Sequence, residues 1–388
     1  YTTASSKSVS ATSANNGWWY FYATDGYQSS STYSVYLDTV APVGKATNSS
    51  GTTISNGGYT NKPVKYSATD TGGVSYYQVK NPGSSSWSSY TANTALSAST
   101  GWYTFRAVDK AGNISSEYKV YYDATAPSGT LYGGTTVKST GGYSNASYVK
   151  YVASDSHSGV ANCYVRKPGS SSYVAYTSGT QLTAEGTYYF YCTDKSGNTS
   201  STVSITLDRT APTGTLYGGT ATKTSGSYTN AEYIKFVCGE NSFVKLPGTT
   251  EFIEYISGTE FSKAGKYVFY GRDSANNSTG EYTIIIDRTE KSVTLDNVTN
   301  GNTKGDVKIS WTNGNSNNYA PIMSVTVNGK SVSNGTVIRT IDTAKYLVVV
   351  TDTAGNVWST EFASSKQNVQ TSTLQKEYYE VADKDGNI

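Results

Sequence analysis

The chain has 388 residues, with one His, one Met and three Cys against 36 Tyr and 38 Gly, and a formal net charge of +2. With His157 as its single imidazole it has little material for acid–base catalysis near neutral pH or for a zinc site, and scattered Lys and Arg give no electrostatic case for nucleic acid or an acidic membrane. The longest apolar runs, such as Ile284 to Ile286 and Tyr346 to Val350, are strand-sized, far short of the roughly 20 residues a membrane helix needs.

In chain order, the first segment begins partway through a pattern that later recurs. Tyr1 aligns with Tyr90, Tyr176 and Tyr255, each shortly ahead of an aromatic run spelled Gly-x-aromatic-x-Phe-x-small. The run appears at Gly17/Trp19/Phe21/Ala23, Gly101/Tyr103/Phe105/Ala107, Gly186/Tyr188/Phe190/Cys192 and Gly265/Tyr267/Phe269/Gly271. Each copy leads through an Asp turn and a second strand to a close at Asp38, Asp123, Asp208 or Asp287. A period of about 80 to 85 residues built of strands describes a string of small β-domains. The expected organisation is 1–42 as the C-terminal half of one module, then modules at 43–127, 128–212 and 213–290. A divergent module follows at 291–366, and 367–388 forms a linker and the start of a further module. On this reading the chain is an internal stretch of a longer one.

Strict alternation decides strand over helix, because apolar residues recur at every second position between clusters of Gly, Asn and Ser. Val64/Tyr66/Ala68, Val149/Tyr151/Ala153 and Ile234/Phe236/Cys238 point one way, which turns Lys65, Lys150 and Lys235 outward. The Gly-x-aromatic strand and its hairpin partner, Tyr118/Val120/Tyr122 or Val203/Ile205/Leu207, supply a second layer. Two half-buried layers make a β-sandwich. In the turns from Asp109 to Asn113, Asp194 to Asn198 and Asp352 to Asn356, Asp accepts backbone N–H bonds and Gly takes a left-handed conformation. The copy from Asp273 to Asn277 has Asn276 in the Gly slot, the next-best residue there. Calcium ligation, which extracellular sandwich strings often show at their junctions, is the alternative, but each of these aspartates stands nearly alone among Ser, Lys and Gly, so the reading assigns them to turns and expects no metal.

Asp-x-Thr-Ala-Pro recurs at Asp38 to Pro42, Asp123 to Pro127 and Asp208 to Pro212, where one module hands over to the next. Pro ends strand pairing and stiffens the link. The last handover, Asp287-Arg288-Thr289-Glu290-Lys291, lacks Ala-Pro and is expected to differ and bend more. The fifth module keeps the period of two at Val307/Ile309/Trp311, Val325/Val327 and Tyr346/Val348/Val350, with Asn328-Gly329 as a tight hairpin. Cys192 and Cys238 occupy slots that hold Ala in sibling copies, and Cys163 replaces Tyr77. Three buried small side chains are expected, with a Cys163–Cys192 bridge between neighbouring strands left open.

On the run Gly186-x-Tyr188-x-Phe190-x-Cys192-x-Asp194-Lys195-Ser196-Gly197-Asn198 and the close Asp208-Arg209-Thr210-Ala211-Pro212, the chain resembles the bacterial immunoglobulin-like tandem repeats of Gram-positive surface and secreted proteins. Tyr346 to Asn356 looks like the same family in a more typical form. The resemblance covers nearly the whole chain. It implies an all-β tandem array of immunoglobulin-like β-sandwich domains joined by short Pro-containing linkers, with Tyr188 as a tyrosine corner. It also implies stalk or adhesive roles, since the fold itself carries many jobs.

Candidate chemistry is thin. His157 lies in the loop Asp155 to Gly159 without an evident nucleophile or orienting acid. Lys65, Lys150, Lys235 and Lys308 recur as an isopeptide donor would, yet face outward by parity. Tyr20, Tyr22, Tyr189, Tyr191 and Tyr270 project from the outer face of the aromatic strand and are the candidate ligand or subunit contacts. Cross-strand pairing is the structural alternative. No catalytic residue, metal or cofactor is expected. The expected function is a non-enzymatic extracellular structural or adhesive stalk of a bacterial surface or secreted protein. The alternatives are a filament subunit assembling by strand complementation and a carbohydrate-binding arm. Its partners would be copies of itself or a host or cell-surface glycan or protein.

Overall fold

Alternating sequence becomes paired sheets in every repeat. The structure, a computed structural model, describes residues 9–312 and 319–365, so the expectations attached to Tyr1 and to 367–388 lie outside the described residues. The chain divides into two compact units, Tyr1–Arg209 and Thr210–Ile388. In the first, an antiparallel hairpin of Gly17–Phe21 and Tyr33–Leu37 precedes two sandwiches. One sandwich has a three-stranded sheet in the order Thr53–Ile54, Val43–Asn48, Val64–Thr69. Its five-stranded sheet runs Gly58–Thr60, Tyr118–Tyr122, Gly101–Asp109, Val74–Lys80, Ser88–Tyr90. The next sandwich repeats this order from Ser128–Gly133 to Val203–Leu207. One pairing in each five-stranded sheet is parallel: Gly58–Thr60 runs alongside the end of Tyr118–Tyr122, and Gly142–Ser144 alongside the end of Val203–Leu207.

The second unit holds two further sandwiches of the same composition, one three-stranded and one five-stranded sheet each. The first spans Gly214–Gly218 to Tyr282–Ile286 and the second Thr294–Asp296 to Val357–Ser364. These are immunoglobulin-like β-sandwiches in tandem, built without an α-helix among the described residues.

The cores follow the parity of the sequence. Val64 and Tyr66, Val149 and Tyr151, and Ile234 and Phe236 are buried between the layers while Lys65, Lys150 and Lys235 stay partly exposed. An aromatic pair joins the two sheets: Tyr66 on Phe105 at 4.9 Å, Tyr151 on Phe190 at 5.4 Å and Phe236 on Phe269 at 5.5 Å between ring centroids. Such pairs add about 0.5–1.5 kcal/mol beyond the area they bury.

Two tyrosine hydroxyls fix the core to its loops in three modules, and among the described residues Tyr346 alone does so in the 291–366 module. Tyr188 donates to the Ala184 carbonyl at 2.7 Å and Tyr267 to the Lys263 carbonyl at 2.9 Å, which is the corner geometry the resemblance implies. Tyr103 and Tyr346 instead accept from the amides of Ser99 and Ile341. Tyr90, Tyr176 and Tyr255 each accept from a core-strand amide, that of Tyr66, Tyr151 or Phe236. Each donates four residues on, to Thr94, Thr180 or Thr259. Burial holds the Tyr90, Tyr176 and Tyr255 hydroxyls above their ordinary pKa, so they remain donors.

Cys163 and Cys192 form a disulfide, which corrects the expectation of three free thiols. They are register partners on neighbouring strands, at the position where Tyr77 meets Ala107 and Ser242 meets Gly271. A large–small inward pair has become two directly opposed sulfurs. Cys238 is free and buried, packed so that a side chain at Gly271 would collide with its sulfur.

Tyr188→Phe is expected to destabilise its module by about 1 kcal/mol, the net worth of one neutral hydrogen bond. Reduction of Cys163–Cys192, which closes a sequence separation of 29 residues, is expected to destabilise the same module by roughly 3–4 kcal/mol. Calorimetry of the full chain should show both perturbations moving one and the same transition; shifts in two separate transitions would disprove the assignment.

Candidate metal centres at the module junctions

The hairpin turn that the sequence spells Asp-x-x-Gly-Asn does more than reverse the chain. Asp109 accepts the Asn113 amide at 2.8 Å on Oδ1 and the Asn113 side-chain Nδ2 at 2.7 Å on Oδ2. Gly112 supplies the left-handed φ of +95° that brings Asn113 back over Asp109. Held there, Asn113 Nδ2 also donates to the main-chain oxygen of Asp38, the closing residue of the preceding segment, at 3.0 Å. The bond recurs from Asn198 to Asp123 O at 2.8 Å and from Asn356 to Asp287 O at 2.9 Å. One amide therefore closes its own turn and fastens the joint.

The same geometry gathers acids that are far apart in sequence. Carboxylate oxygens of Asp38, Asp70 and Asp109 lie within 4.8 Å of one another, and so do those of Asp123, Asp155 and Asp194. The expectation that each aspartate stands alone is corrected here. The three come from the close of one module and from two loops at the facing end of the next, which sequence distance conceals. Asp70 is fixed by the amides of Gly72 and Gly73. Asp155 is fixed by those of His157 and Gly159, and Asp123 by those of Thr125 and Ser158 at 2.8 and 3.0 Å.

Burial works against the charge on Asp123, but the Thr125 and Ser158 bonds outweigh it and hold the carboxyl below the usual range. Asp109 is likewise lowered, burial being outweighed by bonds from Asn113, Gly112 and Ala111. Ionised carboxylates at these separations repel by about 3 kcal/mol per pair at an effective dielectric near 20. At these joints the buried Asp38 Oδ2 accepts no hydrogen bond from the described residues, and neither Ser158 Oγ nor Ser196 Oγ accepts one. A side chain at Gly72 would run into Asp38 Oδ2, so glycine lets this loop pack directly against the closing aspartate. An all-oxygen donor set with carboxylates from three segments suits a hard cation of the calcium or magnesium kind, and offers nothing soft enough to favour zinc or copper.

The five candidate tyrosines fall in three different modules. Tyr20 and Tyr22 are about two-thirds exposed on the leading hairpin. Tyr189 lies under Arg166, whose guanidinium sits 3.9 Å from the ring centroid. Tyr191 is stacked on Tyr164 and meets Tyr173 edge-on, both at 4.9 Å. Tyr270 repeats that arrangement with Phe243 and Phe252 at 4.8 Å. In the 43–127 module Arg106 stands where Tyr191 and Tyr270 stand, opposite Gln78, and Trp87 packs between Lys80 and Arg106. His157 is exposed, with Nδ1 3.3 Å from Ser156 Oγ.

The residues that sequence reasoning missed are Asn113, Asn198 and Asn356. Their signal was present in the Asn that closes every copy of the turn, but its bond to the turn's own Asp hides the second bond across the joint.

No protein-family model matches the chain, and no curated protein matches it. Solved structures do. The fibronectin(III)-like modules of CbhA from Clostridium thermocellum are 17% identical over 42% of this chain and 92% of theirs, with a TM-score of 0.21. The N-terminal four Ig domains of Dscam1 isoform 8.4 are 13% identical over 84% of this chain and 92% of theirs, TM-score 0.21. SGBP-B of the Bacteroides ovatus mixed-linkage glucan utilization locus, in complex with a mixed-linkage heptasaccharide, is 14% identical over 63% and 71%, TM-score 0.16. Likenesses at these values carry no functional information.

Tyr191→Ala is expected to cost the 128–212 module roughly 1–3 kcal/mol through loss of two aromatic contacts. Tyr191→Phe, which keeps both rings in contact, should be close to neutral. Denaturant unfolding followed by fluorescence would check this, and equal losses in the two variants would argue against ring packing as the role of Tyr191.

Proposed function

We propose that the chain is a non-enzymatic arm of an extracellular bacterial protein, carried on the cell surface or secreted, which spaces or presents an adhesive part. The observation that carries this reading is the repeated bond from the turn asparagine to the closing aspartate carbonyl, at Asn113, Asn198 and Asn356. A catalytic scaffold has no need to fasten three pairs of consecutive segments within its compact units by one stereotyped contact; a spacer does. Buried Pro42 and Pro127 stiffen two of the links.

A second reading, assembly by strand complementation, is favoured by the leading hairpin. Trp18, Tyr20, Tyr33 and Val35 are each more than half exposed there, and a two-stranded sheet leaves strand edges that another copy could cover. Exposed Tyr20 and Tyr22 would equally suit a sugar ring. Electron microscopy of native material distinguishes these, because complementation requires filaments with a regular repeat.

The spacer reading is tested by spin labels placed on either side of the joint between the 43–127 and 128–212 modules. A narrow distance distribution is expected in the native chain and a broad one in Asn198→Ala, with a stability loss of about 1 kcal/mol in the module that carries the turn. A native distribution already as broad as the variant's would defeat the proposal.

A further inference from the structure

Three joints of this chain share one main-chain bond that sets their loops in register. The main-chain oxygens of Gly73, Gly159 and Pro321 accept the amides of Lys110, Lys195 and Thr353 respectively, so Gly72, Ser158 and Ala320 occupy one structural position. The Ser158 amide donates to Asp123 Oδ2 at 3.0 Å and the Ala320 amide to Asp287 Oδ2 at 2.7 Å. The joints thus share a frame while differing in charge.

At Asp38 and Asp123 the frame holds three carboxylates. At Asp287 it holds Asp287 itself and the turn residue Asp352, linked through Asn356 Nδ2, which reaches both Asp352 Oδ2 and Asp287 O. The loop that supplies the third acid elsewhere carries none here, since Trp311 to Ile322 contains no Asp or Glu. In the linker, the position of Pro42 and Pro127 is taken by Lys291. Its ammonium lies 3.0 Å from Asp287 Oδ2 and 2.9 Å from Thr289 O, with the Tyr319 ring 5.0 Å away. The Asp287 side chain is 1% exposed.

We infer that the joints at Asp38 and Asp123 are divalent-cation sites of the calcium type, and that Lys291 is a tethered cation that makes the Asp287 joint independent of metal. The unpaired oxygens agree with this. Ser158 is 4% exposed, and its hydroxyl lies against the Asp123 carboxylate, to which it donates, while its oxygen accepts no hydrogen bond from the described residues. Asp38 Oδ2 is buried without a partner, whereas the equivalent Asp287 Oδ2 accepts both an amide and the ammonium. Calcium needs six to eight oxygens at about 2.3–2.6 Å, and the third acid together with these spare oxygens begins such a shell. The cleft beside the first triad, about 280 Å³ and lined by Trp18, Tyr36 and Lys110 among others, leaves a path for the ion.

The test is limited proteolysis of the full chain in calcium, in magnesium and in EDTA, with cut sites mapped by mass spectrometry. In calcium at ten times its dissociation constant, opening at residues 39–42 and 124–127 is expected to fall about tenfold relative to EDTA, and cutting at 288–291 to be slow and equal in all three. Asp155→Asn should abolish the calcium protection at 124–127 while leaving that at 39–42. Lys291→Met should make 288–291 labile with or without calcium. Equal cutting at 124–127 in calcium and EDTA overturns the metal assignment, and the native chain alone decides this if Asp155→Asn folds poorly. Calcium protection at 288–291 in the native chain, or unchanged resistance there in Lys291→Met, overturns the role of Lys291. Protection by magnesium in place of calcium would contradict the calcium type. The inference stands or falls separately from the spacer role, since ion binding at a joint does not require the chain to be an arm.

Discussion

The bidentate embrace of Asp by Asn in the last hairpin of each module is the interaction on which the tandem arrangement depends. Within the turn it satisfies both oxygens of a buried carboxylate, as at Asp194 with Asn198, which would otherwise impose a desolvation cost of several kcal/mol. It also fixes the amide plane, so the remaining N–H has one direction to point in. That direction is the main-chain oxygen at which the previous module ends. A local turn and a long-range fastening are therefore one structure, and neither can vary without the other.

Most of the fold could be read from the sequence because a period of two is a backbone property: alternate residues face opposite sides of a strand whatever the tertiary context. The buried Val64/Tyr66 pair, the outward Lys65 and the left-handed Gly112 followed directly. The cross-joint acid clusters did not. Asp38 and Asp109 belong to separate segments, and their approach depends on how two ends pack, which no local pattern encodes. The disulfide lay between these cases. Strand parity placed Cys163 and Cys192 on one face, but only the register of the two strands sets them opposite each other.

The outward aromatics show how a surface strip can be held by its own neighbours. Tyr191 and Tyr270 hold equivalent places in their modules, and each has one stacked and one edge-on aromatic partner. Trp87 is flanked by two cations. Two chemically different solutions fill the same strip of the five-stranded sheet. What they share is coverage of the sheet face by large flat groups in mutual contact, which is what cross-strand stabilisation requires.

Replacing Pro by Lys at position 291 exchanges one way of limiting a joint for another. Pro42 and Pro127 restrict the link through a fixed φ and carry no charge, so the carboxylates at those joints must be balanced by something that is not part of the linker. Lys291 has the ordinary backbone freedom that Pro lacks, and the sequence alone therefore suggests a looser joint. The structure places its ammonium against a side chain that is 1% exposed and a second main-chain acceptor. An ion pair so desolvated is costly to break once made, because removing either partner strands a buried charge. The electrostatic tether thus substitutes for the lost ring constraint, and the loss of Pro and the loss of the third acid become one compensated change in the same joint.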